Sequence, residues 1–413
     1  MIRRLINRDP FSKNIILVFF GTSLANVLNL AYQLLIAHRL APADFAGFNS
    51  LLSIFLLISA PASTLQSGVA KFVSGLNAHN EAKKIRLLLS GLLKIALILA
   101  LVTLFAAYFA SFHVLEKLKV NSPLSGYLLI LLLSVAWVNP ILMGAIQGLE
   151  KFGWFTSLTV ASSGLKLLLA FIFILLGFNI AGAIGAFLAS IIFFMALSFF
   201  PLRGNLGLKF TEDNAALFKE LGFYLFPLAI STFCFMGLVN MDMVLVRYYF
   251  SPDDSGIYSL SQMVGKVFLF FPAAISTVLF PRASNLNARK QDTGPTIKKA
   301  LAYGFVLCIG AALFYNIFPA LVLKVLTGKV YPDSVMLGRL FNLSMGSYAM
   351  LFILMTYFLS VKDMRFIKYM VISAVLQFLM IFFFHHSLFQ VQYVLCLNSV
   401  SLFFMHLWLL FKR

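Results

Sequence analysis

Lys166, Asp242 and Lys266 each lie inside a long apolar run, where an ionisable side chain costs free energy unless it holds something. Lys94 lies in another run, near enough to its charged end for the long side chain to reach the polar boundary. Uncharged polar residues accompany them at helical spacing. Thr22, Asn26, Asn29 and Gln33 recur at i, i+4, i+7 and i+11. Thr156, Thr159, Ser163 and Lys166 form a second stripe, and Ser255, Ser259, Gln262 and Lys266 a third. Ammonium groups among amides and hydroxyls suit a cavity that attracts an anion. No paired carboxylates, His/Cys cluster or nucleophile–base set accompanies them, so no catalytic residue, metal site or cofactor is expected and the chain is not read as an enzyme.

Each polar group has a plainer reading as well. The stripes also suit hydrogen bonding from helix to helix, above all the Ser and Thr residues. For Asn26, Asn29 and Gln33 the two readings balance. Asp242 is the one acidic residue well inside a span. It is either an ion-pair partner of Arg247 or Lys266 at similar depth, or the site of a coupling proton or sodium ion. Lys71 and Arg282, at corresponding ends of two spans, either contact a phosphate at an inner mouth or follow the general charge bias of such ends.

The elements that must position these groups are membrane helices. Of 413 residues, 61% are hydrophobic and only 11% charged, too few to cover a water-soluble chain of this size. Twelve apolar stretches are long enough to cross a bilayer, the ninth at 301–323. Asn139-Pro140, Pro227 and Pro272 mark expected kinks. The net charge of +18 is a membrane signature here and not a nucleic-acid one. With the N-terminus inside, most Lys and Arg fall in cytoplasmic loops. The outer side holds only Arg39, Lys117, Lys119, Arg247, Lys324, Lys329 and Arg339. Both termini are therefore expected in the cytoplasm. The longest cytoplasmic loops expected, 203–221 and 284–300, leave no room for a soluble catalytic domain, and no phosphate-cradling GxxxxGK[ST] loop occurs.

The two halves share landmarks in the same order. Pro42-Ala43-Asp44 and Gly47 correspond to Pro252-Asp253-Asp254 and Gly256, Lys71 to Arg282, and Asn77-Ala78 to Asn287-Ala288, at offsets of 209 to 211 residues. An even repeat of six spans relates two bundles by an axis along the membrane normal. The expected organisation is an N-terminal segment 1–13, a bundle 14–202, a linker 203–221 and a second bundle 222–413.

Met241-Asp242 through Tyr248-Tyr249-Phe250, followed by Gly256-Ile257-Tyr258-Ser259, resembles the seventh-to-eighth helix hairpin of polysaccharide flippases. These belong to the multidrug/oligosaccharidyl-lipid/polysaccharide exporter superfamily. Asp44-Phe45-Ala46-Gly47-Phe48, Leu279-Phe280-Pro281-Arg282 and Leu326-Thr327-Gly328-Lys329-Val330-Tyr331 match further patterns of that family. The resemblance implies an all-α, MATE-like fold of two six-helix bundles. It implies a polyprenyl-pyrophosphate-linked oligosaccharide as substrate, moved from the inner to the outer leaflet of the cell membrane for O-antigen or exopolysaccharide assembly. A polysaccharide polymerase or secretion machinery is then an expected partner, together with membrane lipid. Twelve spans, where flippases of the peptidoglycan precursor usually have fourteen, favour this substrate over that one. The competing expectation is a cation-coupled drug or metabolite exporter of the same fold, although Asp242 alone is a thin supply of membrane carboxylates.

Overall fold

Proline and serine punctuate the chain. Pro123, Pro252, Pro319 and Pro332 stand in the first turn of a helix, where the missing N–H is no loss and the fixed φ suits the start. Ser122, Ser251 and Ser387 cap three helices, each accepting a hydrogen bond from the N–H three residues on. A computed structural model describes residues 10–205 and 215–412, apart from the side chains at 10–15, 215, 216, 271, 273 and 277. No strand occurs among the described residues. Of the expected segment 1–13, residues 1–9 lie outside them, and of the expected linker 203–221, residues 206–214 do, while 215–221 already belong to a helix.

Twelve helical stretches among the described residues are long and apolar enough to cross a membrane, the number expected. Several run well past the apolar core. The helix Pro42–Ala78 has 37 residues, about 55 Å at 1.5 Å per residue, against a hydrocarbon thickness of about 30 Å. This is why the expected loop 284–300 shrinks to a short turn between helices ending at Ala288 and starting at Gly294. Hydropathy marks only the apolar part of a helix, and Lys298 and Lys299 simply continue it outward. The ninth span is Gly294–Ile317, with a separate short helix Pro319–Thr327 where a continuous 301–323 was expected.

The prolines break two spans where their geometry requires. A proline ring meets the carbonyl four residues earlier. For Pro140 that residue is Ala136, and the chain turns at 136–138 between helices Pro123–Val135 and Asn139–Gly148. For Pro272 it is Phe268, inside the 3-10 turn Val267–Leu269 that separates Pro252–Lys266 from Phe270–Ala288. Pro227 instead stays within a continuous helix.

The chain packs as two compact units. One comprises Met1–Arg39 and Ile58–Ala229, the other Leu40–Leu57 and Ile230–Arg413. Numbered in order, the helices are α1 (Pro10–Arg39), α2 (Pro42–Ala78), α3 (Ala82–Lys117), α4 (Pro123–Val135), α5 (Asn139–Gly148), α6 (Phe152–Leu175), α7 (Asn179–Leu202) and α8 (Ala215–Tyr249). They continue as α9 (Pro252–Lys266), α10 (Phe270–Ala288), α11 (Gly294–Ile317), α12 (Pro319–Thr327), α13 (Pro332–Ser360), α14 (Phe366–Phe383) and α15 (Leu388–Phe411). In the first unit α1 lies along α6, α6 along α7, and α3 along α4. Val69, Leu88, Ile141, Ala145 and Ile146 form its core. The second unit is built around α13, whose most apolar stretch is 78% buried and which touches α9, α10, α11 and α15.

Candidate functional site

In the first unit, Gly21 lets α1 and α6 approach closely. A Cβ there would stand 1.9 Å from Cγ2 of Thr156, so only glycine fits. Two turns farther along α1 and nearly three along α6, Asn29 and Lys166 come together. Lys166 Nζ donates to Asn29 Oδ1 at 2.5 Å and lies 4.6 Å from the ring centroids of both Tyr32 and Phe187. Tyr32 is buried, and its hydroxyl donates to the carbonyl of Ala183 at 2.9 Å, which fixes the ring. Two aromatic faces and one amide oxygen thus hold a half-buried ammonium, and no ion pair neutralises it among the described residues.

Three hydroxyls of these stripes serve the helices. Thr22, Thr159 and Ser163 donate back to carbonyls of their own helices, at Val18, Phe155 and Thr159. Asn26 is exposed and Gln33 half-buried, both on the α1 stripe that carries Asn29.

In the second unit, Lys266 is the last residue of α9, where the 3-10 turn begins. A cation at a helix C-terminus faces the partial negative charge of the last carbonyls. Gly265 seats it, since a Cβ there would come within 2.8 Å of Met345 and 2.9 Å of Phe341 on α13. Lys266 Nζ donates to Asn240 Oδ1 at 3.1 Å. Asp242, two residues on, is fully buried. Its Oδ2 accepts from the Tyr258 hydroxyl at 2.8 Å and from Gln262 Nε2 at 2.9 Å. Its Oδ1 has no hydrogen-bond partner within bonding geometry among the described residues, and the Met243 N–H also acts on the carboxylate.

The direct ion pair expected for Asp242 does not form. Neither Lys266 nor Arg247 makes a salt bridge with it among the described residues. Lys266 acts on it through space. Arg247 donates to the carbonyl of Pro252 at 3.3 Å and stands in the field of Asp44 and Asp253. Gln262 is buried and spends its amide on Asp242, so it orients the carboxylate and offers no open contact.

Behind Asp242 lies a buried polar network that reasoning from the sequence did not identify. The Tyr258 hydroxyl stands 3.4 Å from Gln392 Oε1, and Gln392 Nε2 donates to Ser344 at 2.8 Å. Nearby, Tyr348 donates to Gln377 Oε1 at 2.6 Å, and Gln377 Nε2 donates to the carbonyl of Leu238 at 2.9 Å. Asn398 donates to Gln377 at 2.9 Å and accepts from Ser373 at 2.8 Å. The sequence signals were Ser344 with Tyr348 and Ser373 with Gln377, each pair one turn apart; Gln392 and Asn398 stand six residues apart on α15.

Lys71 and Arg282 differ in setting. Lys71 Nζ stands 3.8 Å from the ring centroid of Tyr224 within the first unit. Arg282 is exposed and lines a groove between α10 and α11 with Lys299. His385 stacks on Tyr249 with ring centroids 3.6 Å apart. The Lys329 of the Thr-Gly-Lys motif donates to the carbonyl of Leu40, and partial burial lowers its pKa below the ordinary lysine value. The Thr327 hydroxyl closes that turn by donating to the carbonyls of Leu323 and Lys329.

A multi-pass helical protein with ammonium and amide groups inside its apolar helices fits the transporter class. Solved structures agree on the fold. An inward-facing multidrug resistance MATE family transporter of the MOP superfamily superposes with a TM-score of 0.76 at 15% identity over 93% of each chain. The lipid II flippase MurJ, in an inward closed conformation, gives 0.72 at 15% identity, covering 96% of this chain and 87% of its own. Residues 11–287 match the family model described as polysaccharide biosynthesis protein, and the chain belongs to that family. The "Putative O-antigen transporter" of Shigella flexneri is 23% identical over 194 residues, 47% of this chain. The chain matches about half the length of that relative, 46%.

Proposed function

We propose that this protein is a flippase that moves a polyprenyl-pyrophosphate-linked oligosaccharide from the inner to the outer leaflet of the cell membrane, for assembly of a surface polysaccharide. The observation that carries this reading is the pair of lysines held inside apolar helices by asparagine oxygens, Lys166 by Asn29 and Lys266 by Asn240. A half-buried ammonium whose hydrogen-bond partner is neutral is left to pair with a ligand, and a pyrophosphate is the anion that such a path accepts. Asn26 and Gln33, on the same helix as Asn29, supply amides for sugar hydroxyls. Lys71 receives the headgroup first and hands it toward Lys166.

In this reading two six-helix bundles alternate access to the two leaflets. The basic loops and both termini lie in the cytoplasm by the positive-inside bias. The chain carries out transport and no bond-breaking chemistry. A polysaccharide polymerase or secretion machinery takes up the product outside. Membership of the polysaccharide biosynthesis protein family and the name of the Shigella relative support this reading.

Asp242 is the proposed coupling site. Its unpartnered Oδ1 leaves acceptor capacity for a proton or a sodium ion beside Lys266. Asp242→Asn keeps one acceptor oxygen and removes the charge, so transport is expected to lose its dependence on the proton or sodium gradient. A variant that retains the wild-type gradient dependence would exclude Asp242 from coupling.

The decisive experiment reconstitutes the protein in vesicles with a fluorescent polyprenyl-pyrophosphate oligosaccharide and measures exchange between leaflets. Protein-dependent exchange that falls in Lys166→Ala and Lys266→Ala supports the proposal. Absence of exchange, with uptake of a cationic dye driven by a proton gradient, would replace it with the exporter reading.

A further inference from the structure

An open groove of about 470 Å³ runs between α10 and α11, wholly inside the second unit. The two helices meet at a short turn and run in opposite directions, so the groove has two chemically different ends. Arg282 on α10 and Thr296 and Lys299 on α11 lie toward the turn. Ile275 and Val278 on α10 and Tyr303 on α11 lie deeper along the apolar span. From Arg282 to Ile275 is seven residues, about 10 Å along the helix. Leu279 and Ala300, both buried, close the floor. Arg282 and Lys299 are exposed, and neither is joined to a carboxylate by a salt bridge among the described residues.

Two uncompensated cations above an apolar trough reproduce the polarity of a lipid molecule standing in its leaflet. Basic pockets between membrane helices on the Lys- and Arg-rich side bind anionic headgroups, and each cation contributes about 1 kcal/mol near the surface. We infer that this groove holds an anionic glycerophospholipid. Its phosphate bridges Arg282 and Lys299, the Thr296 hydroxyl donates to a phosphate oxygen, and one acyl chain lies along Ile275, Val278 and Tyr303. The bilayer supplies this occupant at the right depth and at high concentration, and its binding does not depend on what the protein transports.

The test titrates the purified full-length protein with phosphatidylglycerol, with phosphatidylcholine, and with a sugar-free polyprenyl pyrophosphate, counting bound lipid by native mass spectrometry. Arg282→Gln with Lys299→Gln is expected to weaken phosphatidylglycerol binding about twentyfold, at about fivefold per charge. Phosphatidylcholine binding is expected to stay unchanged. Arg289→Gln with Lys290→Gln removes the same charge from the neighbouring turn and is expected to change binding less than about twofold, the sign of a local site. If the double variant does not stay monodisperse, Lys299→Gln alone should show the fivefold step. An unchanged affinity in the groove variants overturns the inference, and so does an equal loss in the turn variant. Loss confined to the polyprenyl pyrophosphate would show a substrate contact and would overturn it too.

Discussion

Lys166 and Lys266 share a residue type, an apolar setting and an asparagine partner, yet the two units surround them differently. Lys166 is enclosed by neutral groups: the Asn29 amide oxygen and the faces of Tyr32 and Phe187. Lys266 has Asn240 on one side and the field of Asp242 on the other. Asp242 is in turn held by Tyr258 and Gln262, with the second network of Tyr348, Gln377 and Asn398 near by. The first arrangement stabilises a charge without cancelling it. The second couples a charge to a group that can change its own. In the proposed function, one unit holds the anion and the other senses whether a cation is present.

This contrast sets the largest expected effect. Lys166→Ala should reduce leaflet exchange of the pyrophosphate-linked oligosaccharide about a hundredfold, equivalent to the loss of about 3 kcal/mol of charge-assisted contact in a desolvated site. Lys266→Ala should cost about tenfold, because Asp242 already offsets part of its charge. Exchange rates at matched protein levels would decide. Equal losses in the two variants would mean that the lysines do the same work and that the distinction between the units is false.

The next prediction concerns how the first site is positioned. Gly21→Ala puts a methyl group into the side chain of Thr156, and overpacking of a close helix contact costs about 2 kcal/mol. The midpoint of thermal unfolding in detergent should fall, and Lys166 should lose its register with Asn29. Gly21→Ala with Thr156→Ala removes the clashing methyl and should recover most of the loss. A double variant as unstable as the single one would show that the contact does not set the helix spacing.

Much of this architecture was legible before any coordinates. The twelve spans follow from hydropathy, and the breaks at 136–138 and 267–269 follow from Pro140 and Pro272. Asn29, Lys166, Gln262 and Lys266 stood out because they belong to polar stripes at helical spacing, and Asp242 because it is an acid well inside an apolar run. Which of them meet was not legible. Asn29 and Lys166 are 137 residues apart, and their contact depends on the rotation of two helices fixed by Gly21 and Thr156. The hydroxyl stripes left two readings open for a physical reason: Thr and Ser in a helix can satisfy themselves on their own backbone, so periodicity alone does not reveal a wet face. Gln377, Gln392 and Asn398 passed unnoticed because the network draws only two residues from each of α13, α14 and α15, and a pair of uncharged residues in a long helix does not stand out as a stripe.

The finest test separates charge from packing at Lys166. Phe187→Leu keeps an apolar side chain of similar reach but removes the ring face 4.6 Å from Nζ. A partly desolvated cation–π contact is worth about 1 kcal/mol. The ring holds the ammonium in place with or without ligand, so its removal should affect ordering more than charge. Substrate affinity should then fall about threefold, with maximal exchange nearly unchanged. If affinity rose instead, the ring would be competing with the anion for the ammonium. The enclosure of Lys166 would then be a resting position that the substrate must displace, and the neutral site of the first unit would itself be a switch.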